Sequence, residues 1–404
     1  MKPPGAIYLD HHATTPLDPR VLEAMMPFFR EQFWNPSSDH VYGVVVELAV
    51  ETARSQVAKA INAKPSEIFF TAGATESNNF VIKGVADHFR EQRPHVITTC
   101  IEHKCILRAC TYVRERGAKV TILPVSRDGI VSVSEIKNAI RENTVLVSVM
   151  HGNNEIGSIN PITAIGALCR ERGILFHTDA AQTFGKIPID VEACHIDMLS
   201  ASGHKFYGPK GVGFVFVNQA ATSLITPLLH GGGQERGMRS GTLNVPAIIG
   251  LGESAKLAYD RLEQDFWHCL MLRDTLYKQL NARIPGMLLN GPAIEDIEPG
   301  TTFETAIKNL KRLPHNLHVT LTGVDVAAVR RRIKSKLAIS SGSACSSTSL
   351  EPSYVLKAIG RTDTEASSSL RMGIGRFTTR EEIDAAANIL ASAVHETLVS
   401  GSRM

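Results

Sequence analysis

The sequence has no run of the roughly 20 apolar residues that a membrane-spanning helix needs, and the stretch before Asp10 lacks the apolar core of a secretory signal. A soluble, untargeted, cytoplasmic protein with no membrane partner is expected. Charge of one sign is equally scarce: 43 Lys and Arg stand against 40 Asp and Glu, a formal charge of +3 over 404 residues. So small an excess makes no polyanion-binding face, and direct nucleic-acid binding is not expected. The seven cysteines are an odd number and no two have Cys-x-x-Cys spacing. Reduced thiols are therefore expected, and no metal site. There is no internal repeat, and no low-complexity tract beyond the Ser-rich runs Ser340 to Ser349 and Ser367 to Ser369.

What is present suits an ordinary globular protein. Hydrophobic residues make up 43% and charged residues 21%, far from the signature of disorder, and the length suits about two or three domains. Between Glu67 and Val217 short β-branched runs alternate with stretches of helical period. That is the pattern of an α/β fold with a mainly parallel sheet covered by helices. Strands are predicted at Ile68 to Thr71, His95 to Thr99, Lys119 to Pro124, Thr144 to Met150, Ile174 to Thr178, Ile196 to Ala201 and Gly213 to Val217. After Gly250 the rhythm changes to a long helix over about Glu253 to Leu280, then short alternating strands and helices. The expected organisation is a large domain over 16–250 and a smaller α/β domain formed by 1–15 and 251–404.

In doubly wound sheets, ligands sit beyond the carboxyl ends of the strands. Ala72-Gly73-Ala74-Thr75 follows a strand and opens a helix, so it either caps that helix or offers free N–H groups to a phosphate. Asp179 closes another strand and either caps the next helix or holds a cationic group. Lys205, framed by Ser202, Gly203 and His204, is poorly placed as a solvated charge and suits a Schiff-base lysine. Turn, acid and lysine together match the needs of pyridoxal phosphate: a phosphate cradle, a carboxylate for the pyridine nitrogen, and an amine for the aldehyde. His103, in Glu102-His103-Lys104, could stack on such a ring and move protons, or be a core histidine. Arg371 suits a carboxylate clamp or a surface ion pair. Cys100, Cys110, Cys169, Cys194 and Cys269 read as buried apolar side chains. Cys345 lies in Ser340-Ser341-Gly342-Ser343-Ala344-Cys345-Ser346-Ser347, a segment of small residues suited to a thiol that must travel. The glycine-rich stretch Gly231 to Thr242 suits close backbone approach to a ligand or a second subunit.

With these residues in hand, the chain resembles the NifS-like cysteine desulfurases, pyridoxal-phosphate enzymes of the class-V aminotransferase group. The resemblance rests on YLDHHATTP at Tyr8 to Pro16, NPSS at Asn35 to Ser38, TAGATESNN at Thr71 to Asn79, EHK at Glu102 to Lys104 and HGNNEIG at His151 to Gly157. It continues through HTDAAQ at His177 to Gln182, SGHKFYGPKG at Ser202 to Gly211, HGGGQERGMRSGT at His230 to Thr242 and SSGSACSSTSLEPSYVLKAIG at Ser340 to Gly360. It implies a fold-type I architecture with a seven-stranded sheet, and a homodimer. Lys205 is implied as the cofactor-holding lysine, Asp179 as partner of the pyridine nitrogen, Gln182 as donor to the ring's phenolate oxygen and His103 as the stacking residue. Ala74, Thr75, Ser202 and His204 are implied at the phosphate, joined by Thr242 from the other subunit. Asn154 is implied near the phenolate and the substrate carboxylate, Arg371 as the main carboxylate clamp, and Asn35 at the same end of the site.

The implied reaction takes sulfur from L-cysteine, leaving L-alanine and a persulfide on Cys345, carried by a loop at about 340–349. The sulfur then passes to acceptors such as an iron-sulfur scaffold, or to thio-cofactor synthesis or tRNA thiolation. The stretch Asp296 to Lys311 resembles an additional segment relative to many family members. Other readings of the same residues are a selenocysteine or cystine lyase, a transaminase on the same fold, or a non-catalytic scaffold. Cys345 separates the first reading from the others.

Overall fold

The structure is a computed structural model that describes residues 5–295, 297–298, 300–341 and 351–401. Its first part contains β1 (Ile7–Tyr8), α1 (Pro19–Arg30), α2 (Val41–Lys59), β2 (Ile68–Thr71), α3 (Ala74–His88), β3 (His95–Thr99), α4 (Lys104–Glu115), β4 (Lys119–Leu123), α5 (Val133–Ala139), β5 (Thr144–Ser148), α6 (Ile162–Arg172), β6 (Leu175–Asp179), β7 (Met198–Ser202), β8 (Gly213–Val217) and α7 (Val245–Asp260). The remainder contains α8 (Leu262–Arg283), β9 (Met287–Leu289), α9 (Phe303–Asn309), β10 (Asn316–Leu321), α10 (Val326–Ile333), β11 (Leu337–Ala338), α11 (Tyr354–Ala358), α12 (Asp363–Ser367), β12 (Ser369–Gly373) and α13 (Arg380–Gly401).

Seven strands form one sheet in the order β2-β8-β7-β6-β5-β3-β4. Neighbours from β7 to β4 are parallel, whereas β8 runs antiparallel to both β2 and β7. The parallel strands are apolar on both faces because helices cover both. Ile68, Phe70, Ile97, Val147, Phe176, Leu199 and Phe214 pack with residues of α2, α6 and α7 on one side. Phe69, Val96, Leu146, Met198 and Val215 pack with α3 and α4 on the other, as the two-residue alternation of a strand requires.

The carboxyl ends of β2, β5, β6 and β7 share one edge, and β8 starts there, with Gly213 opposite both Thr71 and Ser202. A side chain at Gly213 would drive its Cβ to 2.6 Å from the Gly73 Cα. Glycine is thus what lets β8 pass beneath the turn that opens α3.

The long helix expected over 253–280 is two helices. The chain leaves helical geometry at Arg261 (φ −111°, ψ 7°), because α7 and α8 serve different cores: Ile248, Leu251 and Ala255 join the large-sheet core, and Cys269, Leu272, Leu276 and Leu280 a second one. That second core lies under an antiparallel sheet of order β12-β10-β9. β1 belongs with it, pairing in parallel with β11. Within the segment read as additional, α9 seats Phe303 against Phe266, ring centroids 5.2 Å apart.

Candidate active site

A cavity of about 810 Å³ opens at the carboxyl edge of the large sheet. Its walls include Ala74, Thr75, His103, Asn154, Asp179, Gln182, Ser202, His204, Lys205 and Arg371, contributed by turns far apart in the sequence.

At one end, the turn after β2 leads straight into α3. The cap residue Gly73 has φ +145°, and among the described residues no side chain caps the first N–H groups of the helix. Those N–H groups and the helix dipole make an anion site, beside Ser202 and His204. Burial pushes the His204 imidazole down to about 4, so it is neutral at physiological pH, its Nδ1 3.1 Å from the Thr14 hydroxyl.

Lys205 lies in the 3-10 turn Gly203–Lys205 that ends β7. Its ammonium donates to the carbonyls of His12 (2.6 Å) and Ala13 (2.9 Å). The strap from Asp10 to Pro16 is itself tied to this turn, since Thr15 donates to the His204 carbonyl from its N–H (2.8 Å) and its hydroxyl (2.9 Å).

Asp179 is the last residue of β6 rather than the first after it. Its carboxylate accepts from the Ala181 N–H (2.9 Å) and the Asn78 amide (2.7 Å). The acid caps no helix, since none begins between β6 and β7; it orders the turn there and lines the cavity.

Gln182 is oriented by a chain that the sequence did not disclose. Arg312 donates to Asn316 Oδ1 (2.9 Å), and Asn316 Nδ2 donates to the Glu155 carbonyl (2.8 Å) and to His12 Nε2 (3.1 Å). His12 Nδ1–H then donates to Gln182 Oε1 (3.0 Å), and Gln182 Nε2 donates to the His12 carbonyl (3.1 Å). Each donor fixes the next group, so the second N–H of Gln182 is left for the cavity it lines. Burial holds the His12 imidazole well below its ordinary range, as this neutral role requires. His12 was legible as part of a motif, but its role depends on Asn316, distant in the chain.

Arg371 is buried with Nη1 on the Asn154 carbonyl (2.8 Å) and Nη2 on Asp10 (3.0 Å). Its Nε and Asn154 Oδ1 are buried without partners among the described residues. Unsatisfied buried polar atoms are costly; here they line a cavity and suit a ligand carrying a carboxylate and a polar ring. An uncapped helix start, a carbonyl-held amine and these orphaned atoms together fit pyridoxal phosphate and an amino acid.

Asn35 and Thr242 do not line this cavity. They share a separate one with Phe33, Trp34 and Leu243. Cys345 lies outside the described residues, but both flanks of its segment are fixed at the cavity. Ser340 and Arg371 exchange backbone hydrogen bonds (3.2 and 2.7 Å). On the far side, the Ser353 hydroxyl donates to Glu155 (2.5 Å) and the Tyr354 hydroxyl to the Glu102 carbonyl (2.6 Å). Among the described residues no cluster of metal-ligating side chains occurs, and no helix is long and apolar enough to cross a membrane.

The aminotransferase class-V profile matches residues 7–386. The chain is 49% identical to the cysteine desulfurase IscS of Rickettsia prowazekii, over 96% of this chain and 91% of that protein, and 50% identical to the IscS of Rickettsia rickettsii over the same shares. Among solved structures, a NifS-like protein superposes with a TM-score of 0.86 at 35% identity, covering 96% of this chain and 98% of that one. A second, described as SspA in complex with cysteine, superposes with a TM-score of 0.79 at 37% identity, covering 93% and 100%. The chain belongs to the class-V aminotransferase family and, within it, to the NifS-like cysteine desulfurases.

Proposed function

We infer that this chain is a cysteine desulfurase that uses pyridoxal phosphate and carries the extracted sulfur on Cys345. One observation carries the reading: Lys205, Asp179, Gln182, His103 and Arg371 converge on one cavity to which both flanks of the Cys345 segment are tied. Cys345 lies five positions beyond Ser340, and a chain extends at most about 3.5 Å per residue, so Cys345 stays within about 18 Å of that anchor.

In this reading Ala74, Thr75, Ser202 and His204 hold the cofactor phosphate, with Thr242 supplied by a second subunit. Lys205 holds the aldehyde carbon, Asp179 the protonated ring nitrogen, Gln182 and Asn154 the phenolic oxygen, and His103 a ring face. When bound, the cofactor supplies an electron-withdrawing ring that acidifies the substrate Cα–H. Arg371 binds the substrate carboxylate through its buried Nε, which has no partner among the described residues; Asn35, in a separate cavity, has no part in this end of the site. Lys205 Nζ can take the substrate Cα proton, its N–H groups directed to the carbonyls of His12 and Ala13.

The Cys345 thiolate attacks the sulfur of L-cysteine. The S–S bond forms, the Cβ–S bond breaks with its electron pair returning to carbon, and a proton completes alanine. The balance is one thiol and one cysteine in, one persulfide and one alanine out. The persulfide then serves an acceptor such as an iron-sulfur scaffold protein.

Purified protein supplied with pyridoxal phosphate is expected to show visible imine absorbance and to convert L-cysteine into alanine. Lys205→Ala should lose both. A Lys205→Ala protein with undiminished alanine formation would contradict the assignment.

A further inference from the structure

Asn78 and Cys105 have no part in the reading above, yet they join two groups that do. Asn78, fully buried on α3, donates one amide N–H to Asp179 Oδ2 (2.7 Å) and the other to Cys105 Sγ (3.2 Å). Cys105, buried in the first turn of α4, lies with Sγ 2.9 Å from His103 Nδ1. His103 is the N-cap of that helix and accepts the Cys105 backbone N–H on the same Nδ1 (3.3 Å). A nitrogen that accepts a backbone N–H carries no proton of its own. The Sγ to Nδ1 contact therefore runs from thiol to ring, while the sulfur accepts from Asn78.

We propose that Cys105 is a positioning residue for the desulfurase reaction: its thiol donates to His103 Nδ1 and, with the helix cap, fixes the neutral imidazole with its proton at Nε2. Asn78 supports the thiol and at the same time holds Asp179, so one hydrogen-bonded chain ties the carboxylate at the end of β6 to the imidazole at the start of α4. This rests on the desulfurase reading only in giving His103 a proton to move. Both donors to Nδ1 oppose imidazolium formation; removing one makes protonation easier. Among the described residues, the other charged groups around His103 include Glu102 and Lys104 on its own segment and Glu155 from a neighbouring turn, with Glu76, Asp179, Lys205, Lys210 and Arg371 on the walls of the same cavity. None of them is changed by a substitution at Cys105.

The test uses holoenzyme labelled with ring-carbon-13 histidine, in which the resonance removed by His103→Gln identifies His103. Cys105→Ala is expected to raise the midpoint of its pH titration by about half to one unit, the worth of one ordinary hydrogen bond. Cys105→Ser, which keeps an O–H donor, should return it toward the wild-type value. The limb of kcat/KM that His103 sets should move in the same direction and order. Cys105→Val fills the sulfur's volume without a donor and substitutes for the alanine variant should that one fail to fold. An unmoved midpoint in Cys105→Ala or Cys105→Val, or a serine variant that titrates like them, overturns the proposal. If the wild-type enzyme forms no alanine from L-cysteine, the desulfurase reading fails while the titration still reports the thiol's effect on the ring.

Discussion

Single residues in this protein carry charge states that solvent would not give them. Burial pushes the Glu102 carboxyl up from 4.5 to about 8, although the Met150 N–H and the Thr99 hydroxyl donate to it. The sign follows from linkage. Below about pH 4.5 folded and unfolded chains both hold the proton; between there and about 8 only the folded chain does, so stability falls as pH rises through that window. Glu102→Gln stays neutral throughout. Its melting temperature relative to the wild type is expected to rise between about pH 5 and pH 8, measured on the holoprotein by calorimetry. A difference constant across that range would show that Glu102 is not protonated in the fold.

At the scale of elements, the glycine-rich stretch that bears Thr242 is held by a buried ion pair. Arg54 of α2 bonds both Glu235 oxygens at 2.8 Å, and Glu235 also accepts the Phe70 N–H of β2 (2.7 Å). Glu235 and Arg236 both have positive φ (48° and 54°), a conformation uncommon outside glycine. The pair fixes the loop on the edge of the sheet. Glu235→Ala leaves Arg54 buried and uncompensated, with an expected loss of about 3 kcal/mol of stability in urea unfolding. A loss below about 1 kcal/mol would mean that water reaches Arg54.

The same scale shows what the sequence could disclose. The strands His95–Thr99 and Gly213–Val217 lie where β-branched and aromatic runs placed them, because strands buried on both faces have little freedom of composition. The break at Arg261 was hidden, since α7 and α8 continue one apolar period while turning to different cores. Lys205, Asp179 and His103 were legible because strand ends carry ligands and because their motifs are long. Asn78 and the His12 relay were not, because their contacts join residues far apart in sequence; nor was Cys105, which, although two positions from His103, looks locally like an ordinary helix residue.

At the scale of the molecule, one surface calls for a partner. Phe33 (72% exposed), Val41 (70%), Leu48 and Tyr42 are large apolar side chains facing outward on α2 and the segment before it. Asn35 and Thr242 sit beside this face, away from the large cavity. Patches of this kind mark interfaces, and we propose that a second copy of the chain covers this one, bringing Thr242 to the first copy's phosphate end. Val41 opens α2, where an acid suits the helix dipole. In sedimentation velocity the wild type is therefore expected to run as a dimer, and Val41→Asp to keep the fold and shift toward monomer, with weaker cofactor retention. A monomeric wild type, or a variant that sediments just as a dimeric wild type does, would contradict this placement of the interface.

The most direct measurement is mass spectrometry of the intact protein and its peptides after turnover with L-cysteine. The expected result is one added sulfur on the peptide containing Cys345, released by a thiol reductant and missing in Cys345→Ser, which still binds cofactor. Added sulfur on another cysteine, or alanine formed at the wild-type rate by Cys345→Ser, would contradict the assignment of the travelling thiol.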